Sequence, residues 1–283
     1  MQALLGVLFH GIRRLPKELA PEQKLLMQWM VIAEMIRKQN IRLFQDSVKV
    51  CQNFENEGFA NCILKGQGNA LLYPDPYMRT PGDIDIYLAG DRKRVMQYIN
   101  KVCPNQVMRY HHVDFPVMKT AIEVHFTPSY MFFPVHNRRM QKWFGKVMDL
   151  QCSNVVTLPD GYGEITVPTM NFNVIYILSH LYRHVFTEGI GLRQLIDYYF
   201  VVVKSEERRV KNLTALQREL KYLGLWKFAG AVMYVLHETL GLPESKMIAP
   251  IDVNEGRFLL AEIMQGGNFG QFDTRLRSKV SIR

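Results

Sequence analysis

The sequence predicts an α+β protein, with a small mixed sheet flanked by helices and a helical domain after it. Three observations lead there. "DIDIYLA" alternates apolar and polar residues with the period of a strand. "NCILKGQGNALLY" is an apolar run that passes through glycines and then takes on helical character. Long stretches on both sides of these two carry apolar residues at helical spacing.

Taken in order, "PEQKLLMQWMVIAEMIRKQ" and "IRLFQDSVKVCQNFENEG" read as helix, with Pro21 suited to a first turn and Gly58 to a cap. After the glycine turn, "YPDPYMRTPG" is a loop. "DRKRVMQYINKV" is an amphipathic helix, and "NQVMRYHHVDFPVMKTAIEVHF" gives two strands, expected to be antiparallel. Beyond it, "NRRMQKWFGKVMDL" is a helix and "GYGEITVP" a short strand or hairpin arm. Four helices are then expected in "TMNFNVIYILSHLYRHVF", "IGLRQLIDYYFVVVK", "SEERRVKNLTALQRELKYLG" and "WKFAGAVMYVLHETLG". The division this suggests is an N-terminal helical segment over 1–58, an α+β core over 59–135 and a mainly helical region over 136–283. A cleft is expected between the sheet and the later helices.

With 283 residues, 48% of them hydrophobic, the chain can bury a substantial core. Its formal charge of +9 favours anionic partners, although the basic clusters, among them Arg208-Arg209 and the tail from Arg275 to Arg283, are scattered. The tail leaves open a continuation of the natural chain. Four cysteines without a C-x-x-C pair point to reduced thiols and a cytoplasmic location. Arg13 and Arg14 follow the apolar start instead of preceding it, unlike a secretory leader. No uninterrupted apolar stretch reaches about 18 residues, so no membrane partner is expected.

Asp83 and Asp85 leave one face of their strand, about 7 Å apart along the backbone. Two carboxylates so placed repel unless a cation lies between them. Magnesium, which takes carboxylate oxygens and keeps positions for phosphates, suits the pair, with manganese the alternative. In "ILKGQGNAL" the glycines allow close backbone approach to a ligand, and Lys65 adds positive charge. "TAIEVHF" puts Ala121, Glu123 and His125 on one strand face, so Glu123 supplies a third carboxylate if its strand neighbours the first.

The block "LKGQGNALLYPDPYMRTPGDIDIYL" closely resembles the signature of a family of bacterial uncharacterised nucleotidyltransferases within the polymerase-beta-like superfamily. Gly66, Gln67 and Gly68 match its glycine turn, Asp83 and Asp85 its D-x-D, and Glu123 its third acid. Gln67 stands where many superfamily members carry a small residue. Lys65, Tyr73-Pro74 and Arg79 are family-level details. "HLYRHVFTEGIGLRQLIDYYFVV" resembles the family's helical segment, with His180, His184, Gly191, Arg193 and Asp197 at matching places.

The resemblance implies a minimal nucleotidyltransferase fold and metal-dependent transfer of a nucleoside monophosphate from a nucleoside triphosphate to a hydroxyl acceptor. Asp83, Asp85 and Glu123 would be catalytic and metal-binding. Lys65, Gly66, Gln67, Gly68, Arg79 and Arg193 would bind the nucleotide. The acceptor is a small molecule, a protein or RNA, and a toxin-like form would modify tRNA or protein. The competing readings are a silent nucleotide-binding or regulatory module and a nucleic-acid-binding protein.

Other candidates have simpler readings. His180 and His184 lack the H-E-x-x-H pattern and are expected to be packed or hydrogen-bonded. Arg193 and Asp197 suit a pair along one helix face. Arg79 could grip a phosphate or pair with Asp75. His111-His112 are expected to face solvent.

Overall fold

The computed structural model describes residues 2–207 and 212–267. Arg208-Arg209 and the basic tail lie outside the described residues. The chain forms two compact units, one of residues 4–128 and 146–169, the other of residues 1–3, 129–145 and 170–283.

The first unit begins with α1 (Leu5–Ile12) and α2 (Gln23–Asn56). The two helical stretches read separately in the sequence are one continuous helix of 34 residues. It ends in a Schellman closure. The amide of Phe59 donates to the Phe54 carbonyl at 2.8 Å, and that of Gly58 to the Glu55 carbonyl at 2.9 Å. The Phe54 and Phe59 rings meet edge to face across this turn.

The chain then runs through β1 (Asn61–Ile63), the short helix α3 (Gln67–Ala70), β2 (Ile84–Leu88), α4 (Arg92–Val102), β3 (His112–Asp114) and β4 (Ile122–His125). The four strands form one mixed sheet in the order β1-β2-β4-β3. Strand β2 is parallel to β4, while β1 and β3 lie antiparallel to β2 and β4 respectively.

The pleat sorts this sheet into two chemically different faces. Ile63, Ile84, Ile86, Ile122, Val124 and Val113 project into an apolar core with Phe44 and Phe54 of α2 and Val95 and Ile99 of α4. Burying that face drives assembly. The alternate positions, Asp85, Tyr87, Glu123, His125 and His112, carry the polar groups. A second, two-stranded sheet pairs β5 (Val155–Thr157) with β6 (Glu164–Thr166) and completes the unit.

The other unit is helical, with α6 (Met170–Thr187), α7 (Leu192–Glu207), α8 (Leu213–Tyr222), α9 (Trp226–Leu240) and α10 (Val253–Gly266). The helix α5 (Pro134–Gln151) has residues in both units. Trp143 stacks on Phe172 at 5.2 Å, and the Tyr198 hydroxyl donates to the Val174 carbonyl. The helix expected to start at Ser205 begins instead at Leu213, where the Asn212 side chain caps it by accepting from the Thr214 amide. Ser205 belongs to the end of α7. Among the described residues no helix is long and apolar enough to cross a membrane.

Candidate functional site

The polar face of the four-stranded sheet assembles the site. In the parallel pair Asp85 stands directly opposite Glu123, so their side chains leave the sheet together. Asp83 precedes β2 by one residue. The ligand oxygens of Asp83, Asp85 and Glu123 all lie within 4.8 Å of one another. The three carboxylates singled out in the sequence therefore meet.

Asp85 is sealed from solvent, and two side-chain nitrogens converge on its Oδ1. Lys65 Nζ and His125 Nε2 each approach to 3.0 Å. Burial pushes the Asp85 carboxyl up, but the Lys65 ammonium and the His125 hydrogen bond override it and hold the group well below the usual carboxylate range. Asp83 goes the other way, raised first by the neighbouring Asp85 charge and then by burial. For Lys65, burial works to lower the ammonium's pKa, and the charges of Asp85, Asp83 and Glu123 reverse it to a net rise. One anion is thus matched by Lys65 and His125 while the next remains disfavoured. Asp85 Oδ2 is buried without a hydrogen-bond partner. A buried carboxylate oxygen left unsatisfied is costly. An all-oxygen donor set with such an orphan suits a hard divalent cation.

The glycine turn sits at the end of β1. Gly66 has φ 60° and ψ −112°, and the Gly68 amide donates to the Lys65 carbonyl at 3.3 Å. This is the first central position of a type II′ turn, which favours glycine. A side chain at Gly68 would collide with Val167, its Cβ falling 2.9 Å from Cγ1. Gln67 turns its side chain inward, where Nε2 donates to Asn40 Oδ1 at 3.4 Å. Any contact of Gln67 with a nucleotide therefore rests on its backbone.

Asn40 of α2, invisible as a site residue in the sequence, ties the region together. Its Nδ2 donates to the carbonyls of Tyr77 and Arg79, both at 2.8 Å, fixing the loop that leads to Asp83. Arg79 is itself buried, with Nη1 donating to the Thr80 carbonyl at 3.4 Å. Asp75 caps the short turn in this loop by accepting from the Tyr77 amide.

The histidines depart from expectation. His111 and His112 do not face solvent; they are 5% and 7% exposed. Antiparallel pairing puts His112 directly opposite His125, and His111 Nε2 lies 3.0 Å from His112 Nδ1. Strand pairing gathers the rings on the polar face. His125 Nε2 also reaches Glu123 Oε2 at 3.5 Å, and His112 Nδ1 reaches it at 3.7 Å. Burial pulls His125 down, but hydrogen bonds to Asp85 and Glu123 carry its pKa above the ordinary histidine value. His112, which burial dominates, is lowered. Burial would raise Glu123, and the His125 hydrogen bond brings it below its ordinary value. The period-two pattern of "IEVH" had placed His125 beside Glu123, but not in bonding contact with Asp85.

In the helical unit His180 and His184 are buried and joined Nε2 to Nε2 at 3.1 Å. His184 Nδ1 also meets Glu188 at 3.2 Å. They are hydrogen-bonded residues, as the missing H-E-x-x-H pattern led one to expect. Arg193 and Asp197 lie on α7 of the same unit.

A search of curated proteins finds no match. Among solved structures the chain is similar to an antigenic nucleotidyltransferase-like protein from Paracoccidioides brasiliensis, at 16% identity and a TM-score of 0.42, over 75% of this chain and 94% of that one. The model of a family described as uncharacterised nucleotidyltransferase matches residues 1–241. That match takes in the glycine turn, all three converging carboxylates and most of the helical unit, and the chain belongs to this nucleotidyltransferase family.

Proposed function

We propose that this protein is a divalent-metal-dependent nucleotidyltransferase of the polymerase-beta-like type. It transfers a nucleoside monophosphate from a nucleoside triphosphate to a hydroxyl acceptor in the cytoplasm. The observation that carries this reading is the convergence of Asp83, Asp85 and Glu123 beside the glycine turn, with Asp85 Oδ2 buried and unpartnered. Asp83, Asp85 and Glu123 would hold magnesium, or manganese in its place. The ion, when bound, supplies charge neutralisation for the phosphates and activation of the attacking oxygen.

The protein's own residues supply positioning, on which this class of transfer chiefly depends. Gly66, Gln67 and Gly68 offer backbone at the turn, and Lys65 keeps a positive charge there. Arg79, on the loop that leads to Asp83, completes the nucleotide-binding set proposed for this unit. Glu123 is suited to take the proton of the acceptor hydroxyl at a carboxylate oxygen, because its side chain is 29% exposed where that of Asp85 is 1% exposed.

The test is incubation with α-labelled nucleoside triphosphates, magnesium and a cell extract as the acceptor source. Label is expected to pass to an acceptor with the wild-type protein. It should fall by about three orders of magnitude, or about 4 kcal/mol, in Asp83→Asn/Asp85→Asn. Transfer that survives the double substitution contradicts the proposal. Nucleotide binding without transfer in any extract makes the chain a binding module instead.

A further inference from the structure

We infer that the sheet carries a second ion site, for a divalent transition metal, built from His112, Glu123 and His125. It is independent of the nucleotide-transfer reading and shares one carboxylate with the proposed magnesium site.

Strand pairing creates it. His112 of β3 is directly opposite His125 of β4, and Glu123 lies two residues before His125 on the same face. The ligand atoms of the three all fall within 4.8 Å of one another. Glu123 Oε2 is 3.5 Å from His125 Nε2 and 3.7 Å from His112 Nδ1. In a tetrahedral site with bonds of about 2.0–2.1 Å, neighbouring ligand atoms stand about 3.3 Å apart. Two of the three edges thus stand within a few tenths of an ångström of that spacing, and the third is within 4.8 Å. His111 Nε2 lies 3.0 Å from His112 Nδ1, a contact that an ion on Nδ1 would displace.

His125 Nδ1 is buried without a hydrogen-bond partner, so nothing pins the ring through its second nitrogen. Its Nε2 can exchange Asp85 for an ion. Donor chemistry separates this site from its neighbour. Imidazole nitrogens favour zinc, cobalt and related ions, whereas three carboxylates favour magnesium. With its two oxygens Glu123 can serve both. The part exposure of Glu123 leaves room for water to complete the coordination.

The test is titration of the full chain, free of any histidine tag, with cobalt(II), followed by visible ligand-field absorption. One saturable site is expected. Its affinity should fall at least about tenfold in His112→Gln and persist in Asp83→Asn. An unchanged signal in His112→Gln, or its loss in Asp83→Asn, overturns the proposal. Should His112→Gln fail to fold, X-ray absorption of the zinc-loaded wild type decides. Two imidazoles per zinc support the site, and an all-oxygen shell refutes it. Neither readout needs nucleotide, so the proposal stands or falls apart from transfer activity.

Discussion

Asp83 and Asp85 are two residues apart, yet their surroundings drive them in opposite directions. Asp85 is held ionised by Lys65 and His125, and Asp83 is disfavoured as an anion by Asp85. In metal-free protein Asp83→Asn should remove that repulsion. Because the folded-state pKa of Asp83 is raised, the penalty is absent at a pH below the ordinary carboxylate value and full above the raised one. Melting in chelator should therefore show the variant equal to wild type in acid and more stable at neutral pH. A variant less stable than wild type at neutral pH would contradict this electrostatic reading. His125 works with the reverse charge. Its folded-state pKa is raised, so its stabilisation is full below the unfolded value of about 6.5 and is lost as pH rises through the folded value. His125→Gln should accordingly lower the melting temperature more at pH 6 than at pH 9, and a deficit independent of pH would count against it. The aspartates were legible as residues because they interrupt an apolar strand. The histidine cluster was not. Whether His112 faces solvent or His125 depends on how β3 pairs with β4, which no local pattern records.

At the scale of elements, the II′ turn between β1 and α3 links backbone geometry to the nucleotide binding proposed for it. Gly66→Ala keeps the chemistry of every side chain but forces an alanine to φ 60°. It should cost about 1–3 kcal/mol of stability and weaken triphosphate binding, measurable by denaturant unfolding and by nucleotide titration. Full stability and binding in the variant would remove the turn from the site. The strand and turn were readable because each is written within a few neighbouring residues. That β4 neighbours β2 was only a condition in the sequence, and its parallel direction was not legible, since 33 residues separate Leu88 from Ile122 and α4 and β3 intervene. Helix α10 escaped notice. Gly256 and Gly266 dilute its helical signal, and Phe258 is exposed off its buried stripe.

For the whole molecule, the sheet divides the labour. One face buries isoleucine, valine and phenylalanine against α2 and α4, and the other gathers the charges that such a core would exclude. The formal charge of +9 suits an anionic substrate but selects none, and a general affinity for polyanions should fade as salt rises. The overall class was legible because alternating and helical periods occupy separate stretches of the chain. The extent of the two units was not, because residues 146–169 join the sheet unit from beyond it in sequence. The most direct test is a crystal of the protein grown with manganese and a non-hydrolysable nucleoside triphosphate. Anomalous scattering should place the ion in contact with Asp83, Asp85 and Glu123, with the phosphates at the Gly66 turn. A nucleotide bound elsewhere, or no ion among the three carboxylates, would contradict the account.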